Sequence, residues 1–412
     1  MLTRRHLLSA SAALGAGLAL PRTAHAAAAR DRRFVFVLAQ GGWDPTAVFA
    51  PLFDDAMVDM DPDAQRGTAG NLVYTDSEAR PSVRRFFDAW HARTTILNGV
   101  LVSSVAHPAC VQLTLTGRIS GYADWASVLA NDRADDFSLP SVVLSGASYP
   151  GTYSGAVART GSQAQLAGLL SGELASDRPV SVPSAAIQAL ESSWLGERAT
   201  RAVATARAGS DAAMYGAWQA ANARAEALKA LDVAIDWETG GDLVAECQLA
   251  ARLLGVGLSR CVSITTGDFD SHVMNHVYQQ LNFEALFTGL TALMDALSGT
   301  EGTSGGTLAD ETVVVVLSEM GRTPRLNLDD GKDHWPYTSA LLIGAGLEGD
   351  RVVGGFDDLF YGQRLDPDTC EVDASRGIDV GTATLGATLL ALGDVDPAAH
   401  LPTEEPLQGL LA

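Results

Sequence analysis

The chain has 412 residues, with 49 acidic against 28 basic side chains, a net charge of −21 and 47% hydrophobic content. Such a surplus of negative charge opposes binding to phosphate backbones and anionic membrane surfaces, which argues against nucleic acid as a partner, while the apolar content suffices for a large core. Four cysteines, Cys110, Cys247, Cys261 and Cys370, are widely spaced with no C-x-x-C pair, so one disulfide and buried free thiols both stay open.

Arg4-Arg5 precede an apolar run over residues 7–20, then Pro21 and Ala24-His25-Ala26. Charged region, apolar region and small-residue cleavage site stand in the order of a twin-arginine signal peptide over residues 1–26. The run is shorter than the roughly 20 residues of a membrane span. The expectation is therefore a periplasmic or secreted protein that meets the Tat translocase during export and has no stable membrane span.

Residues 34–38 are an unbroken apolar run ending in Gln40-Gly41-Gly42, as expected of a central strand covered on both faces. Residues 185–231 are Ala- and Glu-rich, residues 243–254 are amphipathic, and residues 278–297 repeat apolar side chains at helical spacing. Further strand-like runs lie at 261–266, 312–317 and 340–344, and the Gly-, Ser- and Thr-rich stretch 299–306 is a loop. Strands alternating with helices give an α/β protein with a mostly parallel central sheet and helices on both faces. A single domain over residues 34–412, with a helical insertion near 185–240, accommodates them.

In such sheets the chemistry lies beyond the carboxyl ends of the strands. There the sequence places Gly41-Gly42-Trp43-Asp44, Gly267-Asp268-Phe269-Asp270-Ser271-His272, Ser318-Glu319-Met320-Gly321-Arg322-Thr323 and Gly331-Lys332-Asp333-His334-Trp335. Taken singly, Asp44 reads as a helix cap, Glu319 as a partner of Arg322, and His334 as an ordinary hydrogen-bonded histidine. Together, carboxylates and imidazoles gathered at one sheet edge point to a divalent metal site.

At these residues the sequence resembles the alkaline phosphatase and sulfatase superfamily, and within it a twin-arginine-exported family of unknown function, the domain-of-unknown-function family fifteen-oh-one. The likeness is strongest over residues 313–354, in Leu317-Ser318-Glu319-Met320-Gly321-Arg322-Thr323-Pro324, Asp333-His334 and Leu342-Ile343-Gly344-Ala345-Gly346-Leu347. It implies an alkaline-phosphatase-like fold and a metal-dependent hydrolase of phosphate or sulfate esters. The alternative is a catalytically degenerate, metal-stabilised binding or assembly protein on the same scaffold.

By the resemblance, Asp268-x-x-x-His272, Asp44 and the closing His334 are metal-site residues, and Glu319-Met320 stands where Asp-His is expected. A thioether is a poor ligand for hard divalent ions. One ion is therefore expected, held by Asp268, His272 and His334 with Asp44 and Glu319 near it, and Zn or Mn suits two imidazoles better than Ca. Asp270 is an alternate carboxylate, and His276 would share a helical face with His272 if a helix began there. Thr116-Gly117-Arg118 is similar to the tail of the sulfatase signature, but ten residues before Gly117 stands His107, and Cys110 comes three residues too late. His107 is thus the catalytic candidate, as metal ligand, general base or transient phosphohistidine. Arg118 and Arg322 are the candidates for binding the transferred group, or else structural ion-pair residues.

Overall fold

The computed structural model describes residues 27–161, 166, 183–206, 210–229, 235–237 and 239–412; the expected signal peptide over 1–26 lies outside them. Twelve strands occur among the described residues: β1 (Arg33–Ala39), β2 (Ala64–Ala69), β3 (Leu72–Ser77), β4 (Thr94–Leu101), β5 (Ser141–Val143), β6 (Val157–Arg159), β7 (Cys261–Thr266), β8 (Thr312–Leu317), β9 (Gly321–Arg322), β10 (His334–Trp335), β11 (Tyr337–Gly344) and β12 (Arg351–Val353). The helices are α1 (Pro45–Val48), α2 (Pro81–Trp90), α3 (His107–Thr116), α4 (Trp125–Asp132), α5 (Ala185–Thr205), α6 (Ser210–Lys229), α7 (Leu243–Gly255), α8 (Asn275–Ser298) and α9 (Thr382–Leu392).

Eight strands form one sheet in the order β12-β4-β11-β8-β1-β7-β5-β6. All neighbours in it are parallel except around β11, which runs against both β4 and β8. The apolar run at 340–344 is thus a strand, as its composition says, but an antiparallel one. Both faces of β1 are buried. Val35 and Val37 join a core shared with α2, α7 and α8, and Phe34, Phe36 and Leu38 join a second core on the opposite face with α4 and α9. Two-sided covering explains why β1 and β8 read as continuous apolar runs, whereas β7 alternates with Ser263, Thr265 and Thr266 and is half-buried toward its end.

The Ala-rich stretch near 185–240 yields two helices, α5 and α6, that pack on each other. All four cysteines are free and buried, which settles the open disulfide question in favour of thiols. Among the described residues, no helix is long and apolar enough to cross a membrane.

The topology gathers five segments at one edge of the sheet. β1, β7 and β8 run side by side and end there, and β4 shares their direction because two antiparallel pairings with β11 cancel. The antiparallel β11 begins at that edge, so the segment leading into it, residues 331–335, lies there too. Gly41 lets two of these segments touch: its φ is +113°, and a Cβ would lie 2.5 Å from the backbone N of Asp270.

Candidate metal centre

His107 is the first residue of α3, directly after the loop that follows β4, with Pro108 within the first turn, where its missing N–H costs nothing. Its Nδ1 lies 2.8 Å from Oε1 of Glu319. Glu319 is fully buried, directly after β8, and its carboxylate accepts the Gly41 backbone N–H at 2.8 Å. His272 turns its Nδ1 to Oδ1 of Asp333 at 2.9 Å, and His334 turns its Nδ1 to the Val105 carbonyl at 2.7 Å. Each of these partners accepts, so each imidazole is held with its proton on Nδ1 and its Nε2 lone pair turned away from the partner.

The three Nε2 atoms converge on Asp270. Its carboxylate lies 3.5 Å from Nε2 of His107, 3.2 Å from that of His272 and 3.5 Å from that of His334. His272 and His334 approach each other Nε2 to Nε2 at 2.9 Å. Two lone pairs at that separation repel unless a proton or a cation lies between them. Ligand bonds of about 2.0–2.1 Å place neighbouring donors roughly 2.9–3.4 Å apart, close to the spacing found here. His107, Asp270 and His334 each offer a ligand atom within 4.8 Å of the others, and the Nε2 of His107 is a buried atom without a hydrogen-bond partner among the described residues.

The charges act on the imidazoles in opposite senses and on the carboxylates in one. The hydrogen bond with Glu319 holds the His107 pKa above its usual range, against the opposing effect of burial, while burial pushes that of His334 down. Burial alone would raise the Asp270 carboxyl, but the Arg322 guanidinium 2.7 Å away outweighs it and keeps the group ionised. The hydrogen bond with His272 depresses Asp333.

Several sequence expectations change place. Asp44 is not free for a metal: it is buried, caps α1, accepts from Thr46 and Asn275, and pairs with the Lys332 ammonium at 2.8 Å. Arg322 is not free for substrate: it is fully buried and spends its guanidinium on the carbonyls of Gly41, Gly42 and Lys332 and on Asp270. Its role is to fix the Asp270 carboxylate and the loop after β1. Arg118 lies past the far end of α3, about 15 Å along the helix from His107, and stacks on Tyr122. Asp268 is exposed and contributes its backbone carbonyl to Asn282, whereas Asp270, also exposed, turns its carboxylate to Arg322 and the three imidazoles. His272 precedes α8, whose cap Met274 has φ +47°, so it shares no helical face with His276. His276 faces Asp61 and Asp44 instead, its pKa lowered by burial.

Met320 is buried against Val102, Cys110 and Leu113 beneath the site. Burial raises the Cys110 thiol above its usual range, which leaves it protonated and unreactive. Asp333 stands in the sequence only as part of the Asp333-His334 pair, with nothing to mark it as the partner of His272, and the Val105 carbonyl that holds His334 carries no signal there.

A family model described as "Protein of unknown function (DUF1501)" matches residues 102–372. No curated protein matches the chain. Among solved structures, the phosphonate monoester hydrolase of Agrobacterium radiobacter is 13% identical with a TM-score of 0.33, over 91% of this chain and 78% of that one. A protein in complex with its substrate D-glucosamine-2-N,6-O-disulfate is 9% identical with a TM-score of 0.35, over 89% and 77% of the two chains. Likenesses at that level fix no chemistry.

Proposed function

The chain belongs to this family of proteins of unknown function, and from that premise we propose that it is a metal-dependent hydrolase of phosphate or sulfate esters, of alkaline-phosphatase and sulfatase kinship. The observation that carries the reading is the convergence of three Nε2 lone pairs and one ionised carboxylate, each imidazole held through Nδ1 by a separate acceptor. That donor set fits Zn²⁺ or Mn²⁺ and is too nitrogen-rich for Ca²⁺.

His107, Asp270, His272 and His334 would hold one ion, with Glu319, Asp333 and the Val105 carbonyl orienting the rings. When bound, the ion supplies a positive charge that polarises an ester oxygen. Arg322 keeps Asp270 ionised and aimed at the cluster. Glu319 fixes the His107 ring and is itself fixed by the Gly41 N–H, which ties the loops after β1, β4 and β8 to one another.

A second reading, a metal-stabilised binding protein without turnover, is favoured by the buried, protonated Cys110 next to the site. A screen of 4-nitrophenyl phosphate, 4-nitrophenyl phenylphosphonate and 4-nitrophenyl sulfate separates the two. The hydrolase reading expects turnover lost on chelation and regained with Zn²⁺ or Mn²⁺; metal-loaded protein inert across the screen would leave the binding reading.

Export is part of the same proposal, resting on Arg4-Arg5 and the run behind them. Replacing both arginines with lysine should leave precursor in the cytoplasm; normal processing of the double variant would refute it.

A further inference from the structure

α8 buries one face against the core through Asn275, Gln279, Phe283 and Leu286. Its other face starts at the cap and carries Met274, Val277, Tyr278 and Leu281, spaced i, i+3, i+4 and i+7, yet these are between 41% and 64% exposed. Apolar stripes at that spacing normally mark a covered face, and a contiguous exposed one marks a binding surface. The stripe adjoins the candidate centre: Val273, also exposed, directly follows His272, and the exposed Val105 holds His334 through its carbonyl.

The charges around it select the occupant. Lys332 and Arg322 are fully buried and paired, while Asp268, Asp329, Asp330 and Asp333 are exposed around the mouth. An acidic, apolar mouth repels a substrate with further anionic groups and accepts an uncharged hydrocarbon body. Resting on the hydrolase reading, we propose that this stripe binds the apolar part of the ester substrate, whose single anionic head sits at the centre. The substrate class is then an amphiphilic monoester with an alkyl or aryl body, as opposed to a nucleotide or a polysulfated sugar.

The test uses methyl-, butyl- and octylphosphonate as probes on zinc-loaded protein, with binding read by calorimetry. A fully buried methylene is worth about fourfold in affinity, so even a half-covered chain should gain at least tenfold from methyl to octyl. Val277→Asp and Leu281→Asp, both exposed and away from the proposed ligands, should abolish that gain and leave methylphosphonate unchanged. Affinity flat across the series, with methylphosphonate still binding, would overturn the stripe assignment and leave the metal reading standing. Dimerisation in solution that Val277→Asp abolishes would also overturn it, by making the stripe an interface between copies. If no phosphonate binds the zinc-loaded protein, the stripe assignment falls, and the hydrolase reading is then decided by the ester screen, which includes a sulfate.

Discussion

Two polar compartments lie side by side beyond the same sheet edge, and they are built on opposite terms. Around Asp44 every charge is answered within the chain: Lys332, one of only two lysines in the sequence, sits fully buried against its carboxylate, with Thr46 and Asn275 supplying further hydrogen bonds. Around Asp270 the partners stop short. His107, His272 and His334 each spend one ring nitrogen on an acceptor and direct the other at the same carboxylate, where the recorded neighbours are one another. A saturated buried pair holds loops together; an unsaturated set of donors awaits a ligand. Polar residues following strands are therefore not equivalent, and the difference lies in which lone pairs remain unspent.

The sharpest way to break this comparison is to unpair the saturated compartment. Lys332→Met leaves Asp44 buried without a counter-charge and should cost about 3–5 kcal/mol of unfolding free energy, read by urea denaturation. Adding Asp44→Asn should recover much of that loss. If Lys332→Met leaves stability unchanged, the two compartments do not differ as described.

Asp333→Ala strikes the other compartment. Asp333 is more than half exposed and its recorded side-chain partners are His272 and Asn327, so stability should shift by no more than about 0.5 kcal/mol. Metal affinity should fall about 10–100-fold, the usual effect of losing the group that orients a ligating histidine.

Acid should narrow the stability gap between wild type and Lys332→Met. Burial raises the Asp44 pKa, but the Lys332 ammonium more than reverses this, so its folded pKa lies below the ordinary carboxyl value. A depressed carboxyl pKa contributes stability that is present above the unfolded pKa and lost as pH falls through the folded one. The gap should be widest near neutrality, begin to narrow as pH falls below the ordinary carboxyl value of about 4, and close as it falls through the lower folded one. A gap independent of pH would mean that Asp44 and Lys332 are not paired.

The smallest effect belongs to Arg118→Ala. This residue stacks on Tyr122 away from both compartments, so metal affinity and turnover should match wild type. A tenfold loss in either would bring the far end of α3 into the site.

Much of this was legible in the sequence where burial is two-sided. β1 and β8 are continuous apolar runs because helices cover both of their faces. β4, next to the edge strand yet almost wholly buried, is invisible, since Thr94, Thr95, Asn98 and Gly99 interrupt the pattern: Asn98 and Thr95 satisfy neighbouring polar groups and Gly99 turns at φ +80°. At the site, the clustering of carboxylates and imidazoles after strands was readable. Which carboxylate turns to the imidazoles was not, because the choice between Asp268 and Asp270 is made by Arg322, 52 residues away. Nor does a lysine in a polar loop announce that it will be buried, and that burial is what withdraws Asp44 from the candidate ligands.

The central claim is that the unspent nitrogens bind one metal ion. Protein stripped with chelator and titrated with Zn²⁺ or Mn²⁺ should take up one equivalent. His334→Ala should bind at least 100-fold more weakly while losing no more than about 1 kcal/mol of stability in urea, since the half-buried side chain makes its Nδ1 hydrogen bond to the carbonyl of the exposed Val105. Wild-type protein that takes up no metal, or a His334→Ala variant that binds as tightly as wild type, would contradict the account.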